Sequence, residues 1–319
     1  MLGYIINKIR KLRDPEIRDK NIEHARLRLR ETLWYCLRPP LPHPIFIVGC
    51  SRAGTTVTYE TLARAPGLIS LGYETPQLWH RIWGPWHNGW ESEAADWDDA
   101  RPEHARAARR FWWARLGRGR LLDKTCINVL RVGYLARLFP DAHFVYVFRD
   151  GRSNVSSLLD GWRKGEHFTL SKMLGQLPAE VAIEGGRFRD WCFFLPPGWR
   201  EYNQSSLAEV CAYQWVQANR LALAGKEHVP ADHWHPFRYE DLLSDPAGAF
   251  RTLFHRLGLE FGETTRSHCE ALASRPTSMV SGPPDPDKWR QRNYREIRSV
   301  MSMMSEMQHR LGYPDEIDG

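Results

Sequence analysis

Short apolar runs alternate along the chain with segments in which apolar residues recur at helical spacing. The run Ile45–Val48 is apolar throughout, and further strands are predicted at 68–71, 121–122, 143–148 and 234–239. Continuous apolar runs of this length are typical of parallel strands buried on both faces of a sheet. Because a helical stretch follows most of them, the pattern predicts an α/β fold in which helices flank a central parallel sheet in three layers.

The predicted helices end at glycine or proline. They span 55–64, 129–139 and 211–224, with a further helix through 155–159. Proline cannot continue a helix, and glycine is common just after one, so these residues mark the element boundaries.

Two segments, 76–120 and 160–207, break this alternation and are predicted to be insertions into the domain. The first is rich in tryptophan and arginine, and glycines and a proline interrupt the helical spacing of its tryptophans, so short helices and loops are expected. These tryptophans either pack in the core or form an aromatic wall that binds an acceptor. The second is rich in glycine, proline and aromatic residues, which is typical of an insertion or lid over a site.

Residues 1–40 form a basic arm before the first predicted strand. Apolar residues between Leu2 and Leu12 recur at helical spacing, and Asp14-Pro15-Glu16 indicates a second helix start. Ten Lys and Arg against five Asp and Glu place five of the six net positive charges here. The arm packs on its own domain, on a second subunit of a homodimer, or on an anionic membrane. Residues 41–319 are predicted to form a single domain.

The composition excludes several classes of protein. Outside the arm the chain is nearly neutral, which argues against a general nucleic-acid-binding face. No apolar run is long enough to cross a bilayer and no early segment looks like a secretion signal, so a cytoplasmic protein is expected, with peripheral membrane contact through the arm as an alternative. The six cysteines are scattered without zinc-ligand spacing, so neither a metal nor a disulfide framework is expected.

A polar group follows each predicted strand near its carboxyl end. These groups are Arg52, Glu74, Lys124, Arg149 and Tyr239. The carboxyl ends of parallel strands meet at one edge of the sheet, and ligands of such sheets bind there. Three cations and one carboxylate at one edge predict an anionic ligand with a carboxylate beside it.

The loop 49–56 after the first strand reads G-x-x-x-x-G-T-T. Its glycines let backbone N–H groups point inward, and the next helix adds the positive end of its dipole, which is typical of an anion site. A Walker A loop has lysine where this loop has Thr55, and the cation here is Arg52 instead. Asp150, the nearest candidate for a magnesium ligand, has arginines close on both sides. The loop therefore indicates phosphate binding without a metal and disfavours ATP hydrolysis.

Several stretches resemble the sulfotransferases that use 3′-phosphoadenosine 5′-phosphosulfate (PAPS). The stretch 47–56, IVGCSRAGTT, is similar to their 5′-phosphosulfate loop, and 138–157 is similar to their 3′-phosphate motif. The pattern is closest to tyrosylprotein sulfotransferases and their bacterial relatives, since 72–75 resembles the segment with their catalytic glutamate and 238–242 resembles one with a nucleotide-contacting tyrosine. The resemblance covers residues 44–314 and implies a P-loop-type three-layer sandwich.

The resemblance implies transfer of a sulfuryl group from PAPS to a hydroxyl or amine, without a metal and with adenosine 3′,5′-bisphosphate (PAP) as product. It implies Glu74 as general base, with Arg52 and Lys124 neutralising charge on the bridging oxygen. The donor-binding residues that it implies are Arg52, Ala53, Gly54, Thr55, Thr56, Arg149, Ser157, Tyr239 and Lys288. The resemblance also implies a serine in the C-terminal segment that contacts the donor, and the sequence does not decide between Ser278 and Ser281.

The sequence departs from the family at Ala53, where the loop usually has serine, so weaker donor binding is expected. The insertions match no known acceptor site, and peptide, glycan, glycolipid and small-molecule acceptors all stay open. A P-loop kinase or nucleotide hydrolase, and a non-catalytic binding protein on the same scaffold, are the alternative functions. If Glu74 is not the base, His80 and His87 are the next candidates.

Overall fold

Five parallel strands form the centre of the protein. The structure is a computed structural model that describes residues 15–165, 168–272, 285 and 287–314. Its strands are hydrogen-bonded in the order β2-β3-β1-β4-β5, and every pairing is parallel, which confirms the predicted sheet. The strands are β1 (Ile45–Val48), β2 (Leu68–Ile69), β3 (Arg120–Lys124), β4 (His143–Phe148) and β5 (Trp234–Arg238).

β1 occupies the middle of the sheet. All four of its residues are apolar and buried. Ile47 is in register with Lys124 of β3 on one side and with Val145 of β4 on the other. A parallel strand covered by helices needs apolar side chains on both faces, so the sequence of β1 suits this central position. Because the strands are parallel, all of them end at the same edge of the sheet.

The outer strands are shorter than the sequence predicts. β2 consists of Leu68–Ile69 alone, half-buried, instead of 68–71, which is common for an edge strand with one neighbour. β5 ends at Arg238, and Tyr239 begins the following helix. Tyr239 still lies at the carboxyl end of the strand, where the sequence pattern places it.

Helices surround the sheet. In the described residues they are α1 (Pro15–Leu37), α2 (Thr55–Leu62), α3 (Pro76–Trp83), α4 (Pro102–Leu116), α5 (Val132–Leu138), α6 (Gly151–Arg163), α7 (Ser171–Leu174), α8 (Leu207–Gly225), α9 (Tyr239–Ser244), α10 (Pro246–Arg256), α11 (Glu263–Leu272), α12 (Lys288–Arg292) and α13 (Tyr294–Arg310). Short 3-10 turns and a tight turn at Ile183–Gly186 connect several of them.

The helices differ from the sequence prediction in several places. The predicted helix 129–139 is divided into a 3-10 turn, Cys126–Leu130, and α5, because Arg131 between them has a non-helical φ of −134°. The Arg131 side chain is fully buried and its Nε donates to the Glu93 carbonyl (2.7 Å), which fixes the break. α4 is a long helix where the sequence predicts short helices and loops, and α10, α11 and α13 lie in segments for which the sequence predicts no helix.

Two tryptophans of the 76–120 insertion pack in the core. Trp79 and Trp112 are fully buried, with their ring centroids 5.8 Å apart. Trp112 also contacts Phe46 of β1, with ring centroids 6.1 Å apart. Trp86, in contrast, is 46% exposed. Core packing is therefore the role of Trp79 and Trp112.

α1 packs against α4. Trp34 is buried, and Arg30 donates from Nη2 to the Trp113 carbonyl (2.9 Å). α1 also exposes apolar side chains, which are Ile22, Leu29, Leu33 and Leu37. In the described part of the chain no helix is both long and apolar enough to cross a membrane. Leu2 to Leu12 lie outside the described residues, and contact of the arm with a membrane or second subunit stays a prediction.

Candidate active site

A cavity of about 340 Å³ opens at the carboxyl edge of the sheet. One side is formed by the loop after β1 and the start of α2, and the next by residues that follow β3, β4 and β5. The remaining side comes from the 160–207 segment. Predicted site residues that line the cavity are Arg52, Gly54, Thr55, Thr56, Glu74, Lys124, Arg149, Ser157 and Tyr239. The fold therefore places most of the predicted site residues around this one cavity.

The loop between β1 and α2 has an unusual backbone. Gly54 has a φ of 109°, a conformation that residues with a Cβ rarely adopt, and a Cβ there would collide with the Tyr239 ring. Arg52 also has a positive φ of 70°. Backbone strain of this kind persists where the surroundings fix it, and it is concentrated at ligand sites. Asn154 of α6 is fully buried and donates a hydrogen bond to the Ser51 carbonyl (2.9 Å), and this contact holds the loop in its conformation.

Two guanidinium groups lie close together beside this loop. Arg52 Nε donates to Ser157 Oγ on α6 (3.3 Å), and Arg149 Nη1 donates to the Arg52 carbonyl (3.4 Å). Burial, followed by the charge of Arg149, lowers the pKa of Arg52. Arg149 stacks over the Tyr239 ring at 4.4 Å, and its buried Nε has no hydrogen-bond partner among the described residues. Paired cations with an unused donor are suited to binding an anion such as phosphate.

Glu74 and Lys124 form an ion pair in the same cavity. Lys124 Nζ donates to Glu74 Oε1 (2.5 Å) and to Thr56 Oγ1 (3.2 Å). The other oxygen of Glu74, Oε2, accepts from the backbone N–H of Cys126 (2.7 Å). The Lys124 side chain is 12% exposed and that of Glu74 35%. Lys124 therefore lies between the carboxylate and the loop.

A buried carboxyl group supports this pair from within the sheet. Asp123, one residue before Lys124, accepts from Asn128 Nδ2 (2.8 Å) and from Thr125 Oγ1 (3.4 Å). Thr125 Oγ1 in turn accepts from the backbone N–H of Thr75, next to Glu74 (3.2 Å). Burial, then the Glu74 charge, raises the pKa of Asp123 to about 7. This network fixes the backbone that carries Glu74, and no motif in the sequence indicates it.

Asp150 is engaged in holding the start of α6. It accepts from the backbone N–H of Arg152 (2.8 Å) and pairs with the Arg152 guanidinium (2.5 Å). Gln308 of α13 donates to Asp150 Oδ1 (3.2 Å) and accepts from the N–H of Gly151 (2.8 Å). Gln308 is a supporting residue that sequence reasoning missed, because it comes from a helix some 150 residues later.

Several predicted residues do not line the cavity. Ala53 is fully buried beneath the loop, and its N–H donates to the Cys50 carbonyl (3.0 Å). Lys288 begins α12, which packs against α6. Ser278 and Ser281 lie outside the described residues.

The two alternative bases are occupied elsewhere. His80 Nε2 and Glu93 Oε1 lie 2.6 Å apart, and both side chains are buried. His87 Nδ1 bonds the N–H of Gly84 (3.0 Å), and its ring stacks on Trp83. Neither histidine lines the cavity.

The 160–207 segment supplies cavity residues that no sequence pattern predicts individually. Phe168, Thr169, Lys172, Met173 and Phe193 line the cavity. The structure describes all of 76–120, and no tryptophan from that segment lines the cavity. The aromatic wall thus comes from the second insertion and not from the first. The signal for it was the aromatic composition of 160–207, which indicates a lid without identifying the residues.

A parallel sheet with a glycine-containing anion loop at its carboxyl edge, beside paired cations and a carboxylate, defines a P-loop-type enzyme fold. In the described residues there is no group of three or more His, Cys, Asp or Glu side chains placed to hold a metal ion. The chain belongs to the sulfotransferase family, whose profile, described as "Sulfotransferase family", matches residues 44–180 and 178–263. It is therefore an enzyme of sulfuryl transfer, which argues against the kinase, hydrolase and non-catalytic alternatives.

The chain is similar to several individual proteins. Protein-tyrosine sulfotransferase 1 of Danio rerio is 23% identical over 297 residues, covering 84% of this chain and 72% of its own. The sulfotransferase STF9 from Mycobacterium avium is structurally similar, with a TM-score of 0.52 and 13% identity over 92% of this chain and 85% of that one. Mouse sulfotransferase SULT7A1 complexed with PAP aligns with a TM-score of 0.48 and 13% identity, covering 84% and 85%. The STF9 similarity shows the sulfotransferase fold.

Proposed function

We propose that this sulfotransferase moves the sulfuryl group of PAPS to a hydroxyl or amine, with Glu74 as the general base. The observation that carries the proposal is the contact of Glu74 with Lys124 (2.5 Å) inside a cavity that also contains the anion loop and Arg149. A base, a cation and two anion sites in one cavity are the parts that such a reaction needs.

The cavity fits a nucleotide that carries a phosphate at each end. The loop from Gly49, with Thr55 and Thr56 at the start of α2, suits the 5′-phosphosulfate, because helix N-termini and loop N–H groups favour anions. Arg149 and Ser157 line the same cavity and suit the 3′-phosphate, because a guanidinium group forms charge-assisted hydrogen bonds with phosphate oxygens.

Arg52 is assigned to both ends of the donor. Its backbone belongs to the 5′ loop, and its guanidinium reaches Ser157 on the 3′ side (3.3 Å). Stabilisation of charge at the transferring group then depends mainly on Lys124. Ala53, buried beneath the loop, contributes packing in place of the hydroxyl of the usual serine, so the weaker donor binding expected from the sequence stays a prediction.

The reaction is an in-line transfer in which the bond from the acceptor oxygen to sulfur forms as the bond from sulfur to the bridging oxygen breaks. Glu74 accepts the proton that the acceptor hydroxyl loses. The backbone N–H of Cys126 holds Glu74 Oε2, so Oε1 keeps a fixed direction. Lys124, between Glu74 and Thr56, neutralises the charge that develops on the leaving oxygen. We infer that the reaction needs no metal, and transfer that persists in EDTA supports this.

The experiment that tests the proposal is the substitution Glu74→Gln. The amide keeps the size of the side chain but cannot take a proton, so turnover should fall about 10²- to 10⁴-fold, the usual contribution of a general base. The affinity for PAP, measured by calorimetry, should remain within about twofold, since Glu74 does not hold the nucleotide.

Glu91→Gln is the matched control, because Glu91 is an exposed glutamate that pairs with Arg200 (3.1 Å) outside the cavity. It should leave both turnover and PAP binding unchanged. Full activity of the Glu74→Gln protein would remove Glu74 from the role of base. Absence of any heat on titration with PAP would contradict the assignment of the donor.

A further inference from the structure

One part of the cavity wall is held together by an isolated antiparallel bridge between two segments of the chain. Leu170 N–H donates to the Trp191 carbonyl (2.8 Å), and Phe193 N–H donates to the Phe168 carbonyl (2.9 Å). Thr169 and Cys192 form the antiparallel bridge between these bonds. The side chains of the wall are therefore presented on a hydrogen-bonded backbone and not on a free loop.

Phe168 and Phe193 form an aromatic pair on this wall. Their ring centroids lie 4.8 Å apart at an interplanar angle of 32°. Phe193 has a φ of 71°, which is unusual for a residue with a Cβ. Its ring lies over Gly161 of α6, where a Cβ would come within 2.6 Å of Cζ. The ring is packed against Phe168 and over Gly161, and Phe193, which is 6% exposed, borders the cavity.

The backbone around Phe193 is tied to the catalytic carboxylate. Cys126 Sγ donates to the Phe193 carbonyl (3.6 Å), while the N–H of the same cysteine holds Glu74. On the other side, the fully buried Gln214 donates to the carbonyls of Cys192 (2.8 Å) and Phe194 (3.0 Å). A molecule held against the Phe193 ring is thereby placed at a fixed distance from the base, as orientation of a reacting hydroxyl requires.

The chemistry of the wall restricts the acceptor. Pro76, Phe168, Met173 and Phe193 present apolar surface to the cavity, and Thr169 and Lys172 add a single hydroxyl and a single ammonium. A sugar or a peptide backbone has several polar groups, and each one loses hydrogen bonds to water unless the wall replaces them. A flat aromatic ring gains most from burial against such rings.

We propose that the acceptor of this sulfotransferase is a small aromatic hydroxyl compound, a phenol, which Phe168, Met173 and Phe193 hold with its hydroxyl at Glu74. The inference rests on the proposed function, because it takes Glu74 as the base. It is narrower than that function, since a glycan or a peptide would serve the same chemistry.

The first test compares acceptors with the full-length protein and PAPS labelled with ³⁵S. The acceptors are 2-naphthol as phenol, glucose as polyol, and a short tyrosine-containing peptide. Burial of an aromatic ring should give 2-naphthol a kcat/KM about 100-fold above that of glucose. A higher kcat/KM for the peptide or for glucose would overturn the assignment of a small phenol.

The second test substitutes the wall. Phe168→Ala should raise the KM for 2-naphthol about 10-fold or more, with a smaller change in kcat and an unchanged affinity for PAP. Phe111→Ala is the matched control, because Phe111 is another half-buried phenylalanine, on α4 and away from the cavity. Met173→Ser, on a partly exposed short helix, gives a second variant whose folding should be unaffected.

The outcomes separate the two proposals. PAP that binds, with transfer to glucose or the peptide in preference to 2-naphthol, contradicts the acceptor class alone. The same KM in Phe168→Ala, Met173→Ser and the unaltered protein also contradicts it. A protein that neither binds PAP nor transfers label to any of the three acceptors contradicts the proposed function itself.

Discussion

Both edges of the central sheet carry titratable side chains, but the two groups of side chains differ in what they face. At the carboxyl edge, Glu74, Lys124 and Arg149 line an open cavity. At the amino edge, the side chains of His143 and His235 contact each other, and His143 Nδ1 lies 2.9 Å from His235 Nε2. A polar cluster is therefore a candidate site where its groups line an open cavity, and structural where its groups pack against one another.

The amino edge is closed by further contacts. The rings of His143 and His233 lie 4.3 Å apart, and Arg120 at the start of β3 donates to the carbonyls of His43 (2.7 Å) and Leu257 (2.6 Å). Burial, followed by neighbouring cationic groups, lowers the pKa values of His143 and His235 to about 4. These histidines stay neutral in the folded protein near neutral pH, which suits a packed cluster.

The strongest contrast comes from the two ends of β3, which begins with Arg120 and ends with Lys124. Lys124→Met should lower kcat about 10²- to 10³-fold, the usual effect of losing one charge-stabilising donor. Arg120→Met should leave kcat unchanged and lower the melting temperature, because it removes bonds to two carbonyls. Steady-state kinetics and thermal unfolding of both variants measure this. A large fall in kcat for Arg120→Met would contradict the claim that the amino edge has only a structural role.

The second contrast concerns the glycines of the loops. Gly54→Ala should weaken PAP binding about 10-fold or more, because the new Cβ collides with the Tyr239 ring in addition to the strain of a positive φ. Gly67→Ala is the matched control, since its φ of 82° imposes similar strain but nothing lies within 4 Å of the added Cβ. Equal loss of PAP affinity in both variants, by calorimetry, would assign the effect to strain and not to the site.

Much of the difference between the two edges of the sheet was predictable from the sequence. The apolar runs predicted the strands, and the strand ends then placed Glu74, Lys124 and Arg149 at one edge, because parallel topology fixes where strands end. The alanine at position 53 was visible as a departure, but only the structure shows that its side chain is buried beneath the loop.

The rest depended on contacts between distant parts of the chain. Phe168 and Phe193 come together through an isolated bridge between irregular segments, and no hydrophobic periodicity in the sequence predicts that bridge. Gln308 reaches Gly151 from the C-terminal helix. His80 was a reasonable alternative base in the sequence, and its pairing with Glu93 depends on the path of the 76–120 insertion. Side-chain pairing across such separations is set by packing and not by local pattern.

The third contrast is in the response to acid. Histidine in the unfolded chain has a pKa of about 6.5, while His143 and His235 have values of about 4 in the folded protein. Between these values the unfolded chain binds protons that the folded protein does not, so stability is full above pH 6.5 and is lost as the pH falls toward 4. His143→Gln should therefore reduce the fall in melting temperature between pH 7 and pH 5.

The groups that act on this pair are Arg120, Arg256, His43 and His233, with Asp232 opposing them at His235. Asp123 at the other edge should behave oppositely, since its raised pKa of about 7 makes the folded protein lose stability as the pH rises through 7. Asp123→Asn should therefore flatten the melting temperature between pH 6 and pH 8. If the melting temperature of His143→Gln falls as much in acid as that of the unaltered protein, groups other than His143 cause the loss of stability.

The smallest expected effect distinguishes the ring of Tyr239 from its hydroxyl. The contacts that Tyr239 makes at the cavity are through its ring, with Gly54 on one side and the Arg149 guanidinium at 4.4 Å. Tyr239→Phe should thus change the affinity for PAP by no more than about twofold, whereas Tyr239→Ala should weaken it about 10-fold by removing the support of Arg149. If calorimetry finds Phe as damaging as Ala, the hydroxyl itself contacts the nucleotide, as the family resemblance implies.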